Sequence, residues 1–183
     1  VNAVPAQPTV ANNSPLCALQ TLSLFAGGSG GSYQWTGPSG YTSSVQDAIL
    51  PAVPVSAGGT YSVTHTVLGC VSAVAITSVV IHPAAPTPTA GSNSPVCLGG
   101  TSNFTQVPIP SATYSWSGPG VFNTGSQNTA ITNAQITVNG TYSVFATVNG
   151  CPGNTATLSV LVSVPATVHA GPAATVCANN AQV

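Results

Sequence analysis

Five cysteines, one aspartate and three histidines are the whole chemical inventory of this 183-residue chain: Cys17, Cys70, Cys97, Cys151 and Cys177, Asp47, and His65, His82 and His169. Catalysis needs acids, bases or nucleophiles held within reach of one another. With no Glu, Lys or Arg, a carboxylate pair is excluded, and so is a carboxylate-rich calcium cage. The stretch Gly27-Gly28-Ser29-Gly30-Gly31 has no Lys and no helix pattern after it, so it reads as a flexible loop rather than a phosphate cradle. The chemistry left is that of the thiols. Their even distribution through a loop-rich chain, with no metal-type Cys-x-x-Cys pair, points to structural disulfides and an oxidising compartment. The chain is therefore expected to be non-enzymatic, without cofactor or metal, and exported; its first residue, Val1, fits an internal or processed position.

The elements that carry these thiols repeat. Cys17, Trp35, Tyr61 and Cys70 recur about 80 positions later as Cys97, Trp116, Tyr142 and Cys151. Their surroundings recur too: Asn13-Ser14-Pro15-Leu16-Cys17 answers Asn93-Ser94-Pro95-Val96-Cys97, and Gly59-Thr60-Tyr61-Ser62-Val63 answers Gly140-Thr141-Tyr142-Ser143-Val144. A third copy opens with Thr175-Val176-Cys177. The chain thus divides into repeat 1 over residues 1–83, repeat 2 over 84–165, and the opening of a third over 166–183. None of the histidines recurs: His65 aligns with Ala146 and reads as a half-buried filler, His82 precedes Pro83 at a strand end, and His169 falls in the second linker.

Only Asp47 carries a formal charge, where an ordinary domain is about a quarter charged. Without cations the segment is not expected to bind nucleic acid or anionic lipid. No apolar run approaches the length needed to span a bilayer, so membrane insertion by this segment is not expected. A surface so short of like-charge repulsion favours self-association, and lateral packing of neighbouring rods is a natural consequence.

The 19 Gly and 16 Pro are scattered between short runs rich in Val, Thr, Ile and Tyr. That is an all-β pattern. In repeat 1 the expected strands are 9–12, 20–26, 32–36, 48–53, 60–67 and 73–81; in repeat 2 they are 87–90, 101–106, 113–117, 128–136, 141–148 and 155–164. Six or seven strands at this spacing describe a β-sandwich. Alternation along Tyr61-Ser62-Val63-Thr64-His65 sends Tyr61 inward, and Tyr142 with it; Trp35 and Trp116 join them as core anchors. The proline-rich joints Pro83-Ala84-Ala85-Pro86-Thr87-Pro88 and Pro165-Ala166-Thr167 are expected to be extended and stiff, giving modules arranged head to tail.

Gly-Thr-Tyr-Ser-Val resembles the start of strand F of an immunoglobulin-like sandwich, with Tyr61 and Tyr142 as corner tyrosines and Trp35 and Trp116 as the strand C tryptophans. The second cysteine of an antibody domain is missing: Val63 and Val144 stand two residues after the Tyr, and the Cys comes nine residues after it, at Gly69-Cys70 or Gly150-Cys151. The words Pro-Val-Cys-Leu-Gly-Gly, Tyr-Ser-Trp-Ser-Gly-Pro, Gly-Thr-Tyr-Ser-Val and Asn-Gly-Cys are similar to the immunoglobulin-like and PKD-like (polycystic-kidney-disease-like) repeats of large Bacteroidetes cell-surface adhesins. These belong to the gliding-motility type and are exported by type IX secretion. The resemblance implies tandem immunoglobulin-like β-sandwich modules in a secreted stalk, attached to the outer membrane through other parts of the protein or its partners.

Three readings of the cysteines stay open. Cys17 with Cys70 and Cys97 with Cys151 would close two similar loops, each adding about 3 to 4 kcal/mol by restricting the unfolded chain. Immunoglobulin topology sets those partners at opposite ends of a module, about 30 Å apart, whereas a disulfide needs Cα atoms within about 7 Å. In a head-to-tail array Cys17 would instead meet Cys151 across the joint, with Cys70 directed to a preceding module and Cys97 and Cys177 to following ones. Free or otherwise paired thiols are the third reading.

Two functions from different classes follow. One is a structural repeat of a cell-surface adhesin or filament stalk, its partners the neighbouring repeats of the same chain, carrying tension and spacing a terminal adhesive region from the cell. The alternative is a binding module that offers Tyr41 and Phe122, on the loops 37–41 and 118–122, to a polysaccharide or other external surface.

Overall fold

The computed structural model describes residues 3–164. The third-repeat opening, with His169 and Cys177, lies outside the described residues. Repeat 1 forms β1 (Val10–Asn12), β2 (Leu16–Cys17), β3 (Leu22–Ala26), β4 (Ser32–Thr36), β5 (Thr42–Ser43), β6 (Ala48–Leu50), β7 (Gly59–Val67), β8 (Cys70–Val71), β9 (Ala75–Val79) and β10 (Ile81–His82). Repeat 2 forms β11 (Ala90–Ser92), β12 (Val96–Cys97), β13 (Ser102–Gln106), β14 (Thr113–Ser117), β15 (Asn123–Thr124), β16 (Thr129–Ile131), β17 (Gly140–Val148), β18 (Cys151–Pro152), β19 (Ala156–Val160) and β20 (Val162–Ser163). Three 3-10 turns complete the regular elements among the described residues.

Each repeat folds as two facing sheets. In module 1, β3 is flanked by β1 and β6, and the other sheet runs β5-β4-β7 with β8 and β9 both along the far edge of β7. Between β8 and β9 the register slips by one residue: Thr66 pairs Val71, but Val63 pairs Ala75, which is a β-bulge around Ser72. The first strand changes sheets. After β1 pairs antiparallel with β3, the chain passes Ser14-Pro15 and β2 pairs in parallel with β10. Module 2 repeats all of this, with β12 on β20 in place of β2 on β10. The chain is all-β, a tandem of immunoglobulin-like sandwiches.

Burial along β7 alternates, with Tyr61, Val63 and His65 inward; β17 turns Tyr142, Val144 and Ala146 inward. Trp35 and Trp116 are fully buried beside them, each in its own core cluster. The corner tyrosines fix the sequence around them. Tyr61 Oη donates to the Ala57 carbonyl at 2.9 Å and Tyr142 Oη to that of Val138 at 2.8 Å. Each ring lies flat against Gly37 or Gly118, where any Cβ would overlap it, which explains the Gly two residues after each Trp.

Several expected boundaries move. The first strand of module 2 is Ala90–Ser92, not 87–90, because Pro86 and Pro88 remove donors that a ladder needs. The expected strand over 48–53 ends at Leu50, ahead of Pro51 and a left-handed Ala52. Its counterpart over 128–136 shrinks to Thr129–Ile131, with a left-handed Asn133 just beyond. The two-residue strands β2, β5, β12 and β15 carry no periodic signal of their own and exist only through their partners.

Candidate functional site

The joint between the modules is built from two matched ends. At the outgoing end of module 1, β2 is held in register by Leu16 N–H to the Val80 carbonyl (3.0 Å) and Ala18 N–H to that of His82 (2.8 Å), which fixes Cys17 at the sandwich edge. At the incoming end of module 2, β17 and β18 are joined by a two-residue turn, Asn149-Gly150, with φ of 52° and 77°. Both residues left-handed is the turn geometry that matches strand twist and favours Asn-Gly. This turn delivers Cys151 to Cys17.

Cys17 and Cys151 form a disulfide with Cα atoms 5.5 Å apart, across a sequence separation of 134. Cys17 Sγ lies 3.8 Å from the Gly150 carbonyl oxygen, and Asn149 Nδ2 sits 3.4 Å from His82 Nδ1. Cys151 is 1% exposed, so the bond is shut away from solvent on that side. The lead-in to module 2 is pinned too: the Ala85 and Pro86 carbonyls pack against Gly153, where no side chain would fit. The within-module pairs Cys17–Cys70 and Cys97–Cys151 are therefore absent; the sandwich separates those partners and the joint brings Cys17 to Cys151 instead. Cys70 holds in module 1 the place of Cys151, after the Leu68-Gly69 turn, and Cys97 is an exposed thiol at the place of Cys17.

The remaining candidates have structural employment. Asp47 Oδ1 accepts from the Ala26 N–H, and Trp35 Nε1–H donates to the Gln46 carbonyl. His65 is buried, deeper than a half-buried filler: it stacks on Tyr33 at 4.7 Å between ring centroids, and its Nε2–H donates to the Gly30 carbonyl. Tyr41 and Phe122 do not stand out as loop-tip aromatics. Tyr41 meets Tyr61 edge-on at 5.6 Å, and Phe122 packs on Phe104 at 5.4 Å and Tyr142 at 5.1 Å, so both are half-buried lids on their cores. The loops close inward because each leaves an apolar core end to cover. A cleft of about 300 Å³ remains beside Tyr41, walled by Pro38, Leu50, Pro54 and Tyr61.

Burial raises the pKa of Tyr61 above the ordinary tyrosine value, and Tyr41 beside it adds to the rise; burial alone raises that of Tyr142. Among the described residues no three His, Cys, Asp or Glu side chains gather as a metal site, and no helix is long and apolar enough to cross a membrane.

No family model matches the chain, and no curated protein sequence does. Among solved structures it is similar to murine CEACAM1b, at 12% identity and a TM-score of 0.43 over 84% of this chain and all of that one. It is similar also to a mouse coronavirus receptor-binding domain complexed with its murine receptor, at 11% identity and 0.46 over 84% and 100%. The N-terminal eight immunoglobulin domains of Down Syndrome Cell Adhesion Molecule match at 18% and 0.47, over 87% of this chain and 25% of that one.

Proposed function

We propose that this segment is a load-bearing spacer in the stalk of a secreted cell-surface adhesin or filament. The observation that carries the reading is the Cys17–Cys151 disulfide across the joint. Tension applied at the two ends passes from Cys17 straight to Cys151, so the chain between them, which includes most of both modules, is bypassed. A module whose task was to present a loop to a ligand would gain nothing from such a bond. Bonding between modules also removes the hinge that a linker otherwise provides, which supports a stiff rod. A surface with Asp47 as its one formal charge supports lateral packing of such rods, with Ile49 and Ile76 exposed on their flanks. A disulfide between the modules supports an extracellular, oxidising location. Attachment to the outer membrane through other parts of the protein, and the gliding-motility and type IX secretion setting, rest on the resemblance of the repeat words.

The test is the relative motion of the two modules. In the oxidised chain, NMR relaxation is expected to give one common tumbling time for both, and solution scattering one extended shape; reduction is expected to separate the tumbling times. Independent tumbling with the disulfide intact would remove the stiff-stalk reading. Binding of a polysaccharide that is lost on mutating Tyr41 or Phe122 would favour the glycan-binding alternative.

A further inference from the structure

We infer that module 2 carries the receiving half of a second covalent joint, in which the exposed thiol of Cys97 takes the Gly-Cys turn of a following module of the same repeat. The inference rests on the stalk reading above and specifies the partner of its next joint.

A bond-by-bond match between the backbone around Cys17 and the backbone around Cys97 carries the inference. Around Cys17, Leu16 N–H and Ala18 N–H donate to the carbonyls of Val80 and His82; around Cys97, Val96 N–H and Leu98 N–H donate to those of Leu161 and Ser163, at 3.0 and 2.9 Å. Leu19 N–H and Gln20 N–H donate to Val53 and Cys17, as Gly99 N–H and Gly100 N–H do to Ala134 and Cys97. Val53 N–H returns to Gln20 as Ala134 N–H returns to Gly100. The parallel register is the same, with Cys17 opposite His82 and Cys97 opposite Ser163. The main-chain hydrogen bonds that aim Cys17 at its partner are therefore rebuilt around Cys97; Cys17 N–H donates in addition to Gln20 Oε1, an acceptor that Gly100 does not offer, and Cys17 is joined whereas Cys97 is an exposed thiol.

The occupant is set by what sits on the equivalent face of module 1. There the Asn149-Gly150 turn delivers Cys151, and Asn149 approaches His82. Module 2 offers the smaller Ser163 in that place, a hydroxyl still able to meet an Asn. The same turn shape is built into the incoming end of module 1 as well, with Leu68 and Gly69 at φ of 47° and 82°. Each module so carries one outgoing Cys and one incoming Gly-Cys turn, and the two ends are complementary. A second staple from Cys97 would overlap the first over residues 97–151.

Closing the joint oxidises two thiols. With oxidised glutathione as the oxidant, the Cys97 thiolate attacks one glutathione sulfur and expels a glutathione thiolate. The incoming Cys thiolate then attacks the Cys97 sulfur and expels the second, so two electrons and two protons end on two molecules of reduced glutathione.

The experiment uses the chain extended by one more module, residues 1–163 continued by a second copy of residues 83–183, folded in a glutathione redox buffer. Disulfides are mapped with pepsin or chymotrypsin. The expected result is Cys97 joined to the second-copy Cys151, loss of Cys97 alkylation by iodoacetamide, and Cys17 still joined to the first Cys151. A second extension, residues 1–163 continued by residues 3–83, presents the Leu68-Gly69-Cys70 turn and guards against failure of the first to fold. Full alkylation of Cys97 in both chains, or its scrambled pairing, with Cys17–Cys151 intact, overturns the inference and leaves the stalk reading standing. Absence of Cys17–Cys151 itself would instead overturn the stalk reading.

Discussion

Asp47 and Asn128 do the same work in their two modules: Asp47 Oδ1 accepts from Ala26 N–H at 3.3 Å, and Asn128 Oδ1 accepts from Gln106 N–H at 3.0 Å. The one acidic side chain of the protein is thus a strand bracket that a neutral amide replaces in the next repeat. Asp47→Asn is expected to change the stability of module 1 by less than about 0.5 kcal/mol, as for a substitution that keeps its bond. Urea denaturation of the two proteins checks it; a loss of several kcal/mol would show that the charge itself is needed.

The corner tyrosines set the alkaline limit. Because burial raises the pKa of Tyr61 and Tyr142 in the folded chain, the unfolded chain ionises first. Above about pH 10 the unfolded state therefore binds fewer protons than the folded one, and stability falls as pH rises. Below that range both states hold the proton and these groups contribute no slope. Tyr61→Phe is expected to cost about 1 kcal/mol at neutral pH through the lost bond to Ala57 and to shallow the alkaline fall. Denaturation midpoints between neutral pH and pH 11 measure both effects.

Leu68 adopts φ of 47° in a turn whose counterpart in module 2 uses Asn149. The left-handed region costs an ordinary residue about 1 kcal/mol or more, and Asn visits it more readily. Leu68→Asn is expected to stabilise module 1 by roughly 1 kcal/mol on that principle, and thermal unfolding reads it directly. No gain, or a loss, would mean that packing of the Leu68 side chain outweighs its backbone strain.

Pulling on the two ends separates the covalent load path from the fold. With the disulfide intact, chain between residues 17 and 151 cannot lengthen the molecule even after both modules unfold. Reduction releases it, and at 3.3–3.6 Å per residue the fully stretched length is expected to grow by roughly 450 Å. Single-molecule force spectroscopy with and without reductant tests this; equal stretched lengths would show that the bond does not form in solution.

Much of the candidate site was legible before folding was considered, and the part that was not is physically specific. The repeat of Cys, Trp, Tyr and Cys named two modules, and the period-2 pattern around Tyr61 and Tyr142 told which side chains enter the core. The same pattern was silent for β2 and β12, two-residue strands that exist only because β10 and β20 lie beside them. Tyr41 and Phe122 sit on loops, and a loop position says nothing about which way the loop closes; their half-burial against Tyr61 and Phe104 comes only with the fold.

Sequence by itself determined the local choices: short strands from β-branched and aromatic runs, turns from Gly and Pro, and a core from alternation. Tertiary structure alone decided the pairing of the cysteines. A disulfide depends on two Cα atoms meeting within a few ångströms, and for Cys17 and Cys151 that meeting is made by two sandwiches, a stiff linker and a hairpin turn acting together over a separation of 134 residues. No local pattern encodes a distance of that kind, because it is the sum of every rigid element between the two sulfurs.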